Sequence, residues 1–457
     1  MNSTDALRNR VRGQVIEPGE SDYDTHRQVY NAMHDRRPAV IVRCADAADV
    51  MEAVNHATDH GLDIAVRGGA HSVPGFGTCD DGLVIDLAPI RNVSVDPGKR
   101  VARVGGGATQ GDLDHATHAF GLATTGGMIS TTGVGGLTLG GGFGHLTRGC
   151  GLTVDNLISA TVVTADGRHV TASDYQNTDL FWALRGGGGN FGVVTEFEFQ
   201  LHPCDTVIGG PLLYEADDAR AVMEMYREFM RDAPDALGCF FGWQIAPPLP
   251  FIPEDRVGDL FAAIVPCWNG PAAEAGAVLN PLREGAGIVA EHLGPVPYPA
   301  LNSAFDALVP PGLQHYWKAD FVTELTDDAI TAHIEYGANV PCVNTIMHIY
   351  PLDGAVQRVA PEETAFAHRD KEFVTVIAGA WPEPTDNAAN KRWVKDYYDA
   401  IHPHSGSDGG YTNFMSDDDD HRAEANYGAN YERLTEVKKV WDPHNVFHLN
   451  QNIAPAK

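Results

Sequence analysis

Lysine is scarce in this chain, at 8 of 457 residues. Basic residues as a whole (32) are outnumbered by acidic ones (61), for a formal net charge of −29. A field of that sign repels phosphate backbones and argues against nucleic-acid binding. The acid excess fits a salty medium, while the lysine scarcity is equally what codon bias produces. No run of about 18 apolar residues occurs, so no membrane span is expected. Met1 to Val15 lack the apolar core of a secretory signal. The resulting expectation is a cytoplasmic protein, monomer or homodimer. The seven cysteines (44, 79, 150, 204, 239, 267 and 342) form no C-x-x-C pair. That removes zinc ribbons and thioredoxin-type sites and fits reduced, mostly buried thiols. There is no Walker loop, because Gly98 and Lys99 are followed by Arg100, and no two-histidine zinc helix or nucleophile elbow. The four aspartates at 417–420 before His421 have no loop glycines, so a solvated cap before a helix is expected there, with no metal. No internal repeat is visible.

Glycine, in contrast, is abundant at 49 residues. It clusters without a fixed period, which excludes collagen-like sequence and points to places where backbone approaches a ligand. The first cluster ends an apolar run: Arg67, Gly68, Gly69, Ala70, His71, Ser72. Paired glycines there expose successive N–H groups as a nest for an anion such as a pyrophosphate. A histidine two residues beyond the nest brings a nucleophilic imidazole close to whatever the phosphates carry. A second cluster, 131–144, holds seven glycines and no charge. Its interleaved Val134, Leu137, Leu139 and Phe143 are too apolar for a solvated linker. Glycine this dense weakens helix and strand, and its use would be to wrap backbone round a flat ring. A third cluster, Gly187 to Gly192, matches G-x-G-x-x-G. A helical pattern precedes it and a strand follows, the reverse of a dinucleotide-binding unit, so NAD binding fails on context. A tight helix-to-strand turn and a close approach to another cofactor both remain open there.

At about 150 residues per domain the length suggests two to four domains. Strands are expected at 39–44, 63–67, 83–87, 101–104, 157–164, 169–172 and 193–201. Helices are expected after the Asp46 cap, over 109–120 with Leu113, Ala116 and Phe120 inward, and over 179–184. After Pro203 the texture changes to a long amphipathic helix near 217–232 and apolar, aromatic strands at 239–245, 260–265, 317–325, 344–349 and 373–381. The tail carries a helix at 422–440 and a polar end, Asn450, Gln451, Asn452. The expected fold class is α+β, with a second unit built on an antiparallel sheet backed by helices.

Arg67 to Ser72, the 131–144 segment, 151–156 and 185–194 appear in one order with Tyr411, Thr412, Asn413, Phe414, then 442–447 and 450–453. Together they resemble the berberine-bridge-enzyme-like FAD-linked oxidases of the vanillyl-alcohol-oxidase superfamily, with a PCMH-type FAD-binding domain, and bacterial members most of all. The resemblance spans nearly the whole chain and is weakest from about 206 to 400. It implies an FAD domain at 1–205 (core about 35–205), a substrate domain at 206–405, and a segment at 406–457 returning to the FAD domain. It also implies FAD bound covalently through His71. Many members hold a second tether, a cysteine upstream of 131–144; here that position is Ile129, and Cys150 lies too far downstream, so a single link is expected. Cofactor contacts are expected from Arg67, Gly68, Gly69, Ala70, His71 and Ser72. Thr131, Thr132, Gly135, Gly136, Gly141, Gly142 and Gly144 follow, then Gly189, Asn190, Gly192, Val193 and Val194, and finally Tyr411, Asn413, Asn450 and Asn452. Thr132 falls where the family controls oxygen access, or it satisfies local backbone.

Tyr411 matches the family's Tyr-x-Asn motif and is a candidate base, provided a neighbour lowers its pKa; packing between domains is the alternative. Tyr316 and Lys318, two apart on a strand, share one face, and His348 sits between apolar neighbours that point the other way. These four are the candidate catalytic residues, His348 being equally readable as a core histidine. The function implied is an FAD oxidase taking a hydride from an alcohol or amine carbon of a small molecule and passing the electrons to O2 as H2O2. A flavin dehydrogenase or oxygenase, or a non-catalytic flavin-binding protein, are the alternatives.

Overall fold

The computed structural model describes residues 3–416, 418 and 422–457. Two small sheets form the first part. One contains β1 (Gln14–Ile16), β2 (Val40–Arg43), β3 (Ile64–Arg67) and β4 (Leu83–Asp86) in the order β1-β2-β4-β3. β4 pairs parallel to both β2 and β3, and β1 is antiparallel to β2. Parallel strands are covered on both faces, which is why β2 and β4 read as unbroken apolar runs. The helix Ala47–His60 starts where the Asp46 carboxylate accepts from the Ala48 and Asp49 N–H groups, and stops at Gly61, φ 63°. Its Val50, Ala53, Val54 and Ala57 are buried, as the 3.6-residue spacing predicts.

The second sheet is antiparallel: β5 (Val93–Asp96), β6 (Val101–Gly105), β7 (Leu157–Val163), β8 (His169–Ser173) and β9 (Val193–Gln200), ordered β5-β6-β9-β7-β8. The helix Gln110–His118 opens on a reciprocal Thr109–Asp112 cap. It ends before Phe120, which is 51% exposed rather than inward, because the chain has already left the helix.

Nine antiparallel strands form the third sheet. These are β10 (Thr206–Gly209), β11 (Leu212–Glu215), β12 (Leu237–Ile245), β13 (Leu260–Trp268), β14 (Ile288–Glu291), β15 (Gly294–Pro297), β16 (Gln314–Val322), β17 (Ile346–Pro351) and β18 (Phe373–Trp381). The main order is β14-β11-β13-β12-β17-β18-β16. Its two faces differ, as a period of 2 requires. Tyr316, Phe241, Trp243, Met347, Ile349 and Ile377 pack against the helices Ala219–Arg231, Asp327–Gly337 and Asn387–Ile401. Phe240, Ala319, Phe321, Tyr350, Val374 and Val376 face Phe143, Leu152, Val154 and Tyr411. The sheet is thus a wall with helices behind it and the glycine-rich segment in front.

The tail is two helices, Ala423–Tyr427 and Tyr431–Trp441, not the single one expected. Gly428, φ 54°, takes a left-handed conformation between them. Beyond, the buried Lys438 ammonium bonds the Asp442 carboxylate at 2.7 Å and the carbonyls of Asn190 and Phe447 at 2.6 and 2.9 Å. This pins the polar end of the chain beside the helix-to-strand turn at 187–192. All seven cysteines are free. Among the described residues no helix is long and apolar enough to cross a membrane, and no cluster of metal-ligating side chains is present. Asp417, Asp419, Asp420 and His421 lie outside the described residues.

Candidate functional site

Where β3 ends, the Arg67 guanidinium turns inward and donates to Asp86 at 2.7 Å and to the His26 carbonyl. Its charge is therefore spent within the protein, although its side chain forms part of the wall of a large cavity. The next residues approach other backbone so closely that side chains are excluded. A Cβ on Gly69 would stand 2.2 Å from the Gly133 nitrogen, and a Cβ on Gly133 would stand 2.4 Å from the Gly69 nitrogen. Two glycines face to face let the 68–72 loop dock on the 131–134 turn. The left-handed turn itself is taken by Ala70 (φ 61°), not by a glycine. For a residue with a Cβ that conformation costs on the order of 1–2 kcal/mol. Among the described residues, the N–H groups of Gly69, Ala70, His71 and Ser72 have no backbone acceptor.

That docking fixes His71. Its Nε2 lies 2.9 Å from the Thr131 hydroxyl and its Nδ1 3.4 Å from that of Thr132. One ring face stacks on Tyr30, with centroids 3.8 Å apart, and Tyr30 stacks in turn on His315 at 4.8 Å. The part of His71 left open faces the cavity. Burial first, then the nearby His315, hold its pKa down to about 3, so the imidazole is neutral and its lone pair is available near neutral pH.

The glycine-dense segment contains a short helix, Val134–Leu139, where none was expected. Its glycines are there for space. A Cβ on Gly135 would lie 3.1 Å from the Gly106 carbonyl, while one on Gly136 would meet nothing within 4 Å. Gly189 is open in the same way. Gly68, Gly192, Val194, Ser72, Thr132 and Asn450 also form cavity wall.

Several expected contacts lie elsewhere. The Asn190 amide donates to the Gly187 and Gln451 carbonyls and accepts from the Ile453 N–H, so it ties the turn to the tail. Val193 is core. Gly141 packs on Phe366, Gly144 on the Gly126 carbonyl, and Gly142 on Thr153. Thr131 serves His71. Asn452, like Asn190, is outside the wall, whereas its neighbour Gln451 is in it.

The aromatic wall of the cavity comes largely from the third sheet and the tail. The Tyr411 oxygen accepts from the Gly142 N–H at 2.8 Å and from the Asn413 amide at 2.9 Å, leaving its own proton directed away from both. These donors favour the phenolate, but burial outweighs them and pushes the pKa up, so the phenol stays neutral. His348 and Tyr350 are two apart on β17 and both reach the cavity, the Tyr350 hydroxyl bonding His348 Nδ1. Burial, with His145 adding to it, lowers the His348 pKa to about 3.

Tyr316 and Lys318 are corrected. They share a face of β16, but it is the helix-covered face: the Tyr316 hydroxyl lies 2.7 Å and the Lys318 ammonium 3.0 Å from the Asp418 carboxylate, which Lys395 of the helix Asn387–Ile401 also bonds. Trp317, between them, is the one in the cavity wall. The sequence marks both faces of β16 as partly apolar, so parity alone did not say which faces the site.

Sequence reasoning missed Tyr30, Gly106, Gly133, Tyr350 and Gln451. Tyr350 carried a signal, the two-residue spacing from His348 on a strand. Tyr30 carried none, because it precedes the first long helix and meets His71 only in the folded chain.

The wall residues enclose one cavity of about 340 Å³.

Residues 38–173 match the family of FAD binding domains, and residues 410–454 the family described as berberine and berberine like. An FAD-linked oxidoreductase of Dictyostelium discoideum is 32% identical over 453 residues, covering 98% of this chain and 96% of its own. The solved structure of 6-hydroxy-D-nicotine oxidase from Arthrobacter nicotinovorans superposes with a TM-score of 0.85 at 27% identity, covering 98% of each chain. Glucooligosaccharide oxidase from Acremonium strictum, described as carrying a 6-S-cysteinyl, 8α-N1-histidyl FAD, superposes with a TM-score of 0.87 at 25% identity over the full length of both chains.

Proposed function

The chain belongs to the berberine-bridge-like FAD-linked oxidoreductases, and we propose that it is an oxidase that holds FAD by a single covalent bond from His71 and oxidises an alcohol or amine carbon of a small organic substrate. The observation that carries this reading is the placement of His71. It is a neutral imidazole, stacked and hydrogen-bonded into one orientation on the wall where the glycine cradle opens.

The residues fit a flavin. Gly136 and Gly189 leave open volume where any side chain would intrude. Both polar atoms of the Gln451 amide are buried in the cavity wall without a partner, which is costly unless a bound group satisfies them. Thr131 holds Nε2 at the shorter distance, so Nδ1 is the more open nitrogen and the one to carry the bond. With Ile129 in place of the second tether, one link is expected. When bound, the flavin supplies the two-electron chemistry.

The protein supplies position and proton handling. Gly142 and Asn413 hold the Tyr411 hydroxyl oxygen in the cavity wall. His348 is neutral near pH 7, because burial and the nearby His145 disfavour its imidazolium. Oxygen as the final acceptor, giving H2O2, completes the reading.

The test is direct. Acid-precipitated protein should stay yellow, and His71→Ala should release its colour into the supernatant. A small-molecule screen under anaerobic conditions should find substrates that bleach the flavin, and air should restore the colour at least as fast as turnover. Retention of colour by the acid-precipitated His71→Ala protein would put the attachment elsewhere. Reoxidation slower than turnover would make the enzyme a dehydrogenase.

A further inference from the structure

His71 is supported from two sides, and both supports run to the stretch 303–315, which leads from the helix Tyr298–Asn302 into β16. On the Nε2 side, Thr131 makes no backbone–backbone hydrogen bond of its own among the described residues. Its neighbours hold it. The carbonyls of Ser130 and Thr132 accept from the Gly111 and Gln110 N–H groups at 2.8 and 2.9 Å. The Ser130 N–H donates at 2.9 Å to the carboxylate of Asp306, 176 residues away, and the Ser130 hydroxyl donates to the other oxygen of that group. On the ring-face side, the buried Tyr30 hydroxyl donates to the Val309 carbonyl. Burial first, then Asp306, push the Tyr30 pKa up, so the phenol stays a donor. The far face of Tyr30 rests on His315. The Asn31 amide grips the His315 main chain, accepting from its N–H at 2.9 Å and donating to its carbonyl at 3.0 Å, and donates to the Val73 carbonyl at 2.7 Å. Val309 and Leu313 anchor the stretch on Ile129 and Ala380.

We propose, resting on the single-link reading above, that the 303–315 stretch is a clamp that presents His71 for attachment and that Asp306 is its positioning residue. Asp306 is not in the cavity wall, which takes Phe305 and Val309 instead. It acts through Ser130 on Thr131, and the Thr131 hydroxyl on Nε2 sets the direction in which Nδ1 faces the cavity. The glycine cradle, at Gly68, Gly69, Gly135, Gly136 and Gly189, includes no residue of the clamp. Binding of FAD and formation of the link are therefore separable, and only the second depends on Asp306. Attachment breaks the imidazole N–H bond and one C–H bond of the flavin 8α methyl and forms one C–N bond. The two electrons and two protons left over go to O2, giving H2O2. A misplaced nucleophile loses rate steeply, about 10²-fold for a displacement of about 1 Å.

The experiment follows acid-stable colour against time after FAD is added, in air, to the full chain expressed without riboflavin, over a range of FAD concentrations. Asp306→Leu should lower the limiting rate of attachment by about 10–100-fold, with the half-saturating FAD concentration within about threefold of the parent. Asp306→Asn, whose amide can still accept from the Ser130 N–H and donate to its hydroxyl, should restore the rate to within about threefold. Ser130→Ala should slow attachment by about tenfold in the parent and have no further effect beside Asp306→Leu. Circular dichroism and the quenching of FAD fluorescence on binding report that each variant folds and takes up the cofactor. Should Asp306→Leu not fold, Ser130→Ala decides alone, and attachment at the parental rate overturns the inference. The same result in Asp306→Leu overturns it too. A half-saturating concentration that rises in step with the loss of rate would mean damage to the cradle, and Asp306→Asn as slow as Asp306→Leu would mean charge and not paired hydrogen bonds; either overturns the clamp. If the parent itself never gains acid-stable colour, the single-link reading fails and the clamp with it. If parent and variants attach alike, the clamp fails and the single-link reading survives.

Discussion

Two glycine-to-alanine substitutions in the cradle should act oppositely on the fold and alike on the cofactor. At Gly69 the new methyl would stand 2.2 Å from the Gly133 nitrogen, 2.7 Å from its Cα and 2.9 Å from the Thr131 carbonyl oxygen. All three are main-chain atoms, so no flexible side chain can yield. Overpacking costs about 1–3 kcal/mol, and the upper part of that range applies because the backbone itself must part. With a melting shift of roughly 2–4 °C per kcal/mol for a unit of 150–250 residues, Gly69→Ala should lower Tm by roughly 4–12 °C. At Gly136 the methyl meets nothing within 4 Å, and the residue lies in the helix Val134–Leu139. Alanine is favoured there by about 0.5–1 kcal/mol, so the cofactor-free protein should melt unchanged or roughly 1–4 °C higher. That open space is the cavity itself, so both variants should carry less covalent flavin than the parent. Scanning calorimetry on protein expressed with and without riboflavin, beside flavin content after acid precipitation, reads both effects. Gly69→Ala melting at the parent temperature would refute the close approach of the two loops. Gly136→Ala with full flavin would refute the placement of the cofactor.

Asp114, in the helix Gln110–His118, is buried with one hydrogen bond, from the Asn302 amide at 2.7 Å, and burial pushes its pKa up to about 7. Against an unfolded value of about 3.9, the folded state binds the extra proton between about pH 4 and 7, so this contribution to stability is complete below that window and lost as pH rises through it. Asp114→Asn, which can also donate to the unpartnered Asn302 Oδ1, should match the parent at pH 4 and exceed it by roughly 2–4 kcal/mol at pH 8; a Tm difference that does not vary with pH would refute this. Tyr411→Phe strips the buried Gly142 N–H of its acceptor and should cost about 1–3 kcal/mol by denaturant unfolding; an unchanged midpoint would mean another group accepts that proton. Thr131→Val removes the 2.9 Å contact to His71 Nε2 and should slow covalent flavin attachment in reconstitution, measured as acid-stable colour against time; wild-type kinetics would show that the Tyr30 stack alone orients the ring.

Local order was legible wherever one element decides it. The Asp46 cap, the 3.6-residue stripe of Ala47–His60, and the apolar strands β2, β12 and β18 follow from neighbours in sequence, because capping and periodicity are short-range. Motif order pointed in the same way to an FAD-linked enzyme and to His71. The single tail helix failed at Gly428, and the inward Phe120 failed at a helix end, both places where one residue's backbone conformation outweighs periodicity.

The spacing of its glycines pointed on its own to backbone brought close to a ligand or to tight turns, since so many uncharged glycines are set among apolar residues. Only the tertiary structure decided why those glycines are needed, because a 2.2 Å approach between Gly69 and Gly133 joins residues 64 positions apart. It also decided that Trp317, and not Tyr316 or Lys318, lines the cavity. A strand's alternation divides its residues into two faces with certainty, but which face meets helices and which meets a cavity depends on what the rest of the chain lays against it.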